Sequence, residues 1–235
     1  MKISIIIPAY NEEKTIALVL DKVLSVTLPE GMAREVIVVN DGSCDQTAEV
    51  LNRYNDRKDV KILHQTKQGK TAALVRGIAK ATGDILLIQD ADLEYDPVQY
   101  PALLDPILKG GVDVVYGSRF LGDIKNMRWI NNWANRVSNW TLRALYRVNL
   151  TDINTCYKVF KREVIQGIRI RSRNFAFETE VTAKLIRRGI RIKEVPIEYV
   201  ARSHREGKKI RWMSALEMYW PIIKYRFYPP SSGVI

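Results

Sequence analysis

Asp84-Ile85-Leu86-Leu87-Ile88-Gln89-Asp90-Ala91-Asp92-Leu93-Glu94 is the stretch on which the reading of this chain turns. Its aliphatic run lacks the alternation of a half-exposed strand, so it predicts a strand buried on both faces. Three carboxylates follow at alternate positions. Left unpaired beyond a buried strand, they would repel one another and be costly to desolvate. A hard divalent cation, Mg²⁺ or Mn²⁺, resolves that conflict through oxygen ligands. A solvated acidic turn is the plainer alternative.

The same theme recurs on both sides. Short apolar runs at 3–7, 35–39, 60–63, 84–88 and 112–116 each read as a strand. Helical patterns at 12–26, 45–54, 70–81 and 97–108 separate them, the last opened by Asp96-Pro97 as a cap followed by proline. Alternation of this kind predicts an α/β fold, a mostly parallel sheet covered by helices on both faces. Ligands of such sheets bind beyond the carboxyl ends of the strands, so the loops after these five strands should share one site.

The second half reads differently. Residues 126–148 and 211–228 predict helices rich in tryptophan and arginine, and 178–188 a further helix. Residues 156–160 and 191–199 read as strands, the latter an edge strand because of Pro196. Residues 201–209 read as a polar loop and 229–235 as a loose tail. The expected organisation is one domain over 1–228.

Among 235 residues, Lys and Arg number 37 and Asp and Glu 26, for a formal net charge of +11. The excess is lopsided. Residues 1–118 carry 13 basic and 17 acidic side chains, a net of −4, and residues 119–235 carry 24 and 9, a net of +15. An acidic half joined to a basic half points to a divided job rather than to a uniformly basic nucleic-acid binder. Two cysteines are too few for a disulfide framework or zinc site. The first residues lack a signal peptide's apolar core, and no run approaches a membrane span, so a cytoplasmic protein is expected. Gly69-Lys70-Thr71 has the end of a phosphate loop but lacks its earlier glycine, and no Gly-x-Gly-x-x-Gly follows the first strand. Lys70 is therefore either a nucleotide contact or a surface lysine at a helix start.

Ile7-Pro8-Ala9-Tyr10-Asn11-Glu12, Asn40-Asp41-Gly42-Ser43, Asp90-Ala91-Asp92 and Gly117-Ser118-Arg119 occur in that order, each after a predicted strand. Together they resemble family 2 glycosyltransferases of the GT-A fold, and among them the dolichyl- and polyprenyl-phosphate mannose and glucose synthases. The resemblance covers about residues 2–210. It implies a nucleotide-binding set of Pro8, Ala9, Tyr10, Glu12, Asp41, Lys70, Asp90, Ala91 and Asp92. It implies a metal set of Asp90, Asp92 and Glu94 holding Mg²⁺ or Mn²⁺, with Asp90, Asp92 and Arg119 as the catalytic residues. Residues 1–118 would then form the nucleotide-sugar half and 119–228 the acceptor half.

The acceptor implied is a polyprenyl or dolichyl phosphate, whose oxygen is already anionic near neutral pH. It needs electrostatic binding and in-line placement more than a general base. Arg119, which follows the fifth strand, leads as its ligand, with Arg136, Arg202 and Lys208 as further candidates. Trp129, Trp133 and Trp140, with Arg128, Arg136 and Arg143, suit a helix lying on a membrane surface, or else packing on the sheet. Trp212, Met213, Leu216, Met218, Tyr219 and Trp220 read likewise. A peripheral enzyme on the cytoplasmic face follows, held by the lipid surface or by a small membrane-anchoring partner. Two other readings stay open: a glycan or protein acceptor, which would need a general base, and a non-enzymatic nucleic-acid binder, against which the acidic loop argues.

Overall fold

The computed structural model describes residues 1–172, 174, 176–202 and 212–228, with the side chains of 212–218 excepted. In chain order the elements are β1 (Lys2–Ala9), α1 (Ile16–Ser25), β2 (Ala33–Asp41), α2 (Thr47–Asn52), β3 (Val60–Gln65), α3 (Lys70–Lys80) and β4 (Ile85–Ile88). A 3-10 turn, Pro97–Gln99, then runs into α4 (Tyr100–Leu108). There follow β5 (Val114–Ser118), β6 (Ile124–Lys125), α5 (Trp129–Tyr146), β7 (Lys158–Lys161), α6 (Arg162–Gln166), α7 (Phe177–Arg187), β8 (Ile192–Pro196), β9 (Tyr199–Val200) and α8 (Trp212–Phe227).

Seven strands form one sheet in the order β3-β2-β1-β4-β7-β5-β8, and β6 pairs with β9 in a parallel two-stranded ribbon. The apolar runs are buried as their composition demands: Ile3, Ile5, Ile6, Ile7, Val36–Val39 and Ile85–Ile88 all lie in one core between the helical layers. Helix α3 packs closest to the sheet at Gly77, where a Cβ would lie 2.5 Å from Ile6 Cγ2. This is the GT-A fold, a mostly parallel sheet with helices on both sides.

The exception to parallel order shapes the site. Strand β7 lies antiparallel between β4 and β5. Its amino end therefore shares an edge with their carboxyl ends, and the segment before β7, residues 150–157, enters the same crevice. The sequence pattern predicts a strand near 156–160 but not this insertion.

The strand order reverses between β1 and β4, the switch point at which open α/β sheets bind ligands. Strand β1 outruns β4 there: Ile3–Ile6 pair with Ile85–Ile88, while β1 continues along β2 to Ala9. Pro8 sits in that overrun, where its missing N–H breaks no ladder with β4.

Helix α1 starts four residues later than its apolar pattern predicts. Asn11 has φ 51°, and the N–H groups of Glu12 and Glu13 bond to Thr47 Oγ1 and Asp45 instead. Glu12 is thus left at the crevice rather than inside a helix. Lys208, His204 and the 229–235 tail lie outside the described residues.

Candidate active site

The acid loop stands on a buried hydrogen-bond network. Gln89 Oε1 accepts from Tyr100 Oη at 2.8 Å and Tyr157 Oη at 2.9 Å, and its amide donates to the Asp90 carbonyl at 2.9 Å. The residue between strand and acids is therefore rigid. Asp90 turns to one side of the loop, and Asp92 and Glu94 share Arg202. Asp90 Oδ1 lies 2.8 Å from Lys70 Nζ, which also reaches Glu178 at 3.1 Å. Asp92 accepts from the Glu94 N–H at 3.1 Å and from Arg202 Nη2 at 2.8 Å. Glu94 accepts from Tyr199 Oη at 2.6 Å and the Arg202 N–H at 2.9 Å.

Asp90, Asp92 and Glu94 do not converge: no trio of His, Cys, Asp or Glu among the described residues is arranged to hold a metal. The donor chemistry still fits one. Asp90 and Asp92 offer hard carboxylate oxygens at the switch point, and Mg²⁺ commonly joins one or two carboxylates to substrate phosphates. Burial, with Asp90 and Glu94 beside it, pushes the Asp92 carboxyl up to about 7, against the pull of Arg202. A buried carboxylate among like charges is a place where added positive charge is favoured.

Lys70 is half-buried between two carboxylates. Burial opposes its charge, yet Asp90 and Glu178 outweigh that cost and hold the ammonium well above its ordinary range. The turn before α3 aims it. Asp41 accepts from the N–H groups of Gln68 at 2.8 Å and Gly69 at 2.7 Å, and from Gln65 Nε2 at 2.7 Å. Gly69 has φ 97°, which favours glycine, and Asn174 caps the next turn by accepting from Thr71 Oγ1 at 2.7 Å. Asp41 thus builds the start of α3. Tyr10, just after β1, accepts at its hydroxyl from Lys67 Nζ, in the turn between β3 and α3, at 2.8 Å. Pro8 and Ala9 end β1, and Ala91 is buried between the two aspartates.

Arg119 is buried and gripped by Asp152, with Nε 2.7 Å from Oδ2 and Nη2 2.8 Å from Oδ1. Burial works against its charge, and Asp152 more than restores it. The segment before β7 delivers Asp152, and Glu194 on β8 fixes that segment by accepting from the Asp152 N–H at 2.8 Å. Tyr199 joins the two halves of the site. Its ring lies 5.1 Å from the Arg119 guanidinium while its hydroxyl bonds to Glu94. Arg202 belongs with Glu12 and Asp92, at 3.0 and 2.8 Å. Arg136 lies exposed on α5, with Nε bonded to Asn132 and its guanidinium over Phe120. The three described candidate arginines therefore have separate partners. Sequence reasoning did not find Asp152, Gln89 or the Lys70 contact of Glu178. Both faces of the start of α7 are buried, and Glu180 there pairs with Lys184 and Tyr225.

The family model for glycosyl transferase family 2 matches residues 4–169. The chain belongs to glycosyl transferase family 2. As a member of that family it is a glycosyltransferase. It is 29% identical over 88% of its length to a dolichol-phosphate mannosyltransferase of Pyrococcus furiosus, spanning 59% of that protein. It is 32% identical over 88% of its length to an undecaprenyl-phosphate mannosyltransferase of Micrococcus luteus, spanning 87% of that protein. Its fold is similar to glucosyl-3-phosphoglycerate synthase from Mycobacterium tuberculosis, solved with Mn²⁺, UDP and glucosyl-3-phosphoglycerate. That match has a TM-score of 0.75 at 21% identity and covers 99% of this chain and 82% of the other. The same synthase solved with Mg²⁺ and UDP gives 0.74 at 22% identity, with 99% and 81% covered.

The glycosyltransferase presents one further surface. Trp129, Trp133 and Trp140 on α5 are 79%, 63% and 69% exposed, so they do not pack on the sheet. Their spacing places them with Arg136 and Arg143 along one stripe. Helix α8 packs beside α5, with Tyr219 Oη donating to the Ala134 carbonyl and Tyr146 Oη to that of Ile222. It adds exposed Trp220, Ile223 and Phe227. No described helix is long and apolar enough to cross a membrane.

Proposed function

We propose that this glycosyltransferase moves a hexose from a nucleotide sugar to a polyprenyl phosphate, with inversion at the anomeric carbon. The observation that carries the reading is the pairing of opposite charges across Tyr199: carboxylates of the β4 loop on one side, a buried arginine on the other. The names of the Pyrococcus and Micrococcus relatives support a polyprenyl phosphate acceptor and favour mannose as the sugar.

In this reading the acceptor's phosphate oxygen forms the new bond to the anomeric carbon. The bond from that carbon to the donor's diphosphate oxygen breaks, and the electron pair leaves on the nucleoside diphosphate. No proton need be removed from an acceptor that is already an anion. Asp90 and Asp92 would hold Mg²⁺ or Mn²⁺, which supplies charge stabilisation for the departing diphosphate. Lys70, fixed by Asp90 and Glu178, adds a cation on the same side. Pro8, Ala9, Tyr10 and Glu12 line the end of β1 where the nucleoside would lie, with Asp41 and Ala91 shaping the adjoining walls. Arg119, oriented by Asp152, would face the acceptor's phosphate, with Arg136 on α5 as a further basic residue; Lys208 remains an acceptor candidate on sequence alone.

The aromatic and basic face of α5 and α8 would rest on an anionic lipid surface, where tryptophan and arginine are both accommodated. The enzyme would thus work peripherally on the cytoplasmic face, with a membrane-anchoring partner as the other means of attachment. Incubation with nucleotide sugars, a short polyprenyl phosphate and Mn²⁺ tests the reading. It predicts a glycosyl polyprenyl monophosphate by mass spectrometry.

A further inference from the structure

Arg202 follows β9 and engages the acid loop through both its main chain and its side chain. Its N–H donates to Glu94 Oε1 at 2.9 Å. Nη1 and Nη2 reach the two carboxylate oxygens of Glu12 at 3.0 and 3.2 Å, and Nη2 also reaches Asp92 Oδ2 at 2.8 Å. One residue therefore occupies acids from two different loops. Both oxygens of Asp92 have an internal partner, since Oδ1 accepts from the Glu94 N–H.

Lys70 differs in kind. It is set in the first turn of α3, between Asp90 and Glu178 and behind the Asp41 turn. Arg202 reaches in on a long side chain from the end of a two-stranded ribbon. A divalent cation that takes an oxygen of Asp92 would stand within a few ångströms of that guanidinium, and like charges so close repel. The guanidinium must then move to another anion. Its planar fork suits phosphate as well as carboxylate.

We infer that Arg202 is a built-in counter-ion of Asp92 and Glu12, which a divalent cation must displace and which the donor's diphosphate draws away, so that metal and nucleotide bind cooperatively through it. This rests on the metal-dependent donor site proposed above. Coupling of this kind is reciprocal: whatever factor nucleotide adds to metal affinity, metal adds to nucleotide affinity. Without nucleotide, the arginine offsets part of the resting site's negative charge, and a metal must compete with it for Asp92.

The test is Mn²⁺ binding to the whole chain, read from the electron paramagnetic resonance of free Mn²⁺, with and without GDP or UDP. The wild-type protein should bind Mn²⁺ weakly alone and about tenfold or more tightly with nucleoside diphosphate, in the usual range of coupling between sites. Arg202→Gln should bind Mn²⁺ more tightly than wild type without nucleotide and show a smaller nucleotide enhancement, the remainder coming from contact between metal and phosphate. Arg202→Lys, which restores a cation, should return toward wild type. Thermal unfolding confirms that each variant is folded. If Arg202→Gln binds Mn²⁺ no better than wild type while nucleotide still enhances both, the inference is overturned and the metal site stands. If Arg202→Lys matches Arg202→Gln, charge competition is likewise overturned. If no protein binds Mn²⁺ with either nucleotide, the metal-dependent reading itself fails.

Discussion

Asp152 holds Arg119 by three hydrogen bonds. Its Oδ2 accepts from Arg119 Nε at 2.7 Å and from the Arg119 N–H at 3.0 Å, and its Oδ1 accepts from Nη2 at 2.8 Å. Both side chains are buried, so the pair fixes the guanidinium in place and compensates its charge.

Asp152→Ala leaves a buried guanidinium unpaired. Removing one partner of such a pair costs about 3–5 kcal/mol, whereas replacing both by apolar residues costs far less. Urea unfolding should show Asp152→Ala strongly destabilised and the Arg119→Met, Asp152→Leu double variant less so. Equal losses would mean that the pair's geometry contributes nothing.

Lys70 offers a separate handle on the donor. A charged hydrogen bond contributes about 1.5–3 kcal/mol, so Lys70→Met should weaken nucleoside diphosphate binding by roughly 10- to 100-fold. Glu178→Gln should weaken it less, since Asp90 still holds the ammonium. Titration calorimetry with GDP and UDP measures both.

The strands, the helices between them and the switch-point loops were legible because burial on both faces writes itself as unbroken aliphatic runs. The Asp90–Glu94 loop was legible because acids beyond such a run need an explanation. Asp152 was not, because it precedes its strand. Only the antiparallel insertion of β7 carries it to the carboxyl ends of β4 and β5, and strand direction leaves no mark in a short apolar run. Lys70 was ambiguous because its burial depends on Glu178, more than a hundred residues away in sequence. Exposure of the α5 tryptophans was equally open, since an apolar stripe looks the same whether it faces a sheet or a lipid surface.

Lys158 links fold to pH. It is fully buried, and its ammonium donates to the carbonyls of Ile153 at 2.9 Å and Thr155 at 2.5 Å. Burial lowers its pKa to about 8, from 10.5. Below about pH 8 the folded protein bears the full cost of a buried charge. Above it the unfolded chain binds more protons, so this lysine's share of stability rises with pH. The rise should fall between about pH 8, the folded value, and the free lysine value of 10.5. Denaturant unfolding across that window should show it in wild type and not in Lys158→Met.

The exposed face of α5 makes a prediction about lipid. Trp133→Ser with Trp140→Ser should reduce sedimentation with phosphatidylglycerol vesicles by about tenfold, since each indole buries a large apolar area at an interface. Nucleoside diphosphate binding should be unchanged, because these side chains lie away from the crevice. Raised salt should weaken vesicle binding through the arginines of the same stripe. Undiminished sedimentation of the double variant would remove α5 from the membrane contact.

The proposed reaction is phosphate-dependent glycosyl transfer at the β4 loop. Its most direct measurement supplies GDP-mannose, UDP-glucose or UDP-N-acetylglucosamine with Mn²⁺, and sets a polyprenyl phosphate beside the matching unphosphorylated polyprenol. One glycosyl polyprenyl monophosphate is expected, with no product from the alcohol, and transfer should be lost in Asp92→Ala or on chelation of the metal. No transfer to the phosphate from any donor, or full activity in Asp92→Ala, would contradict it.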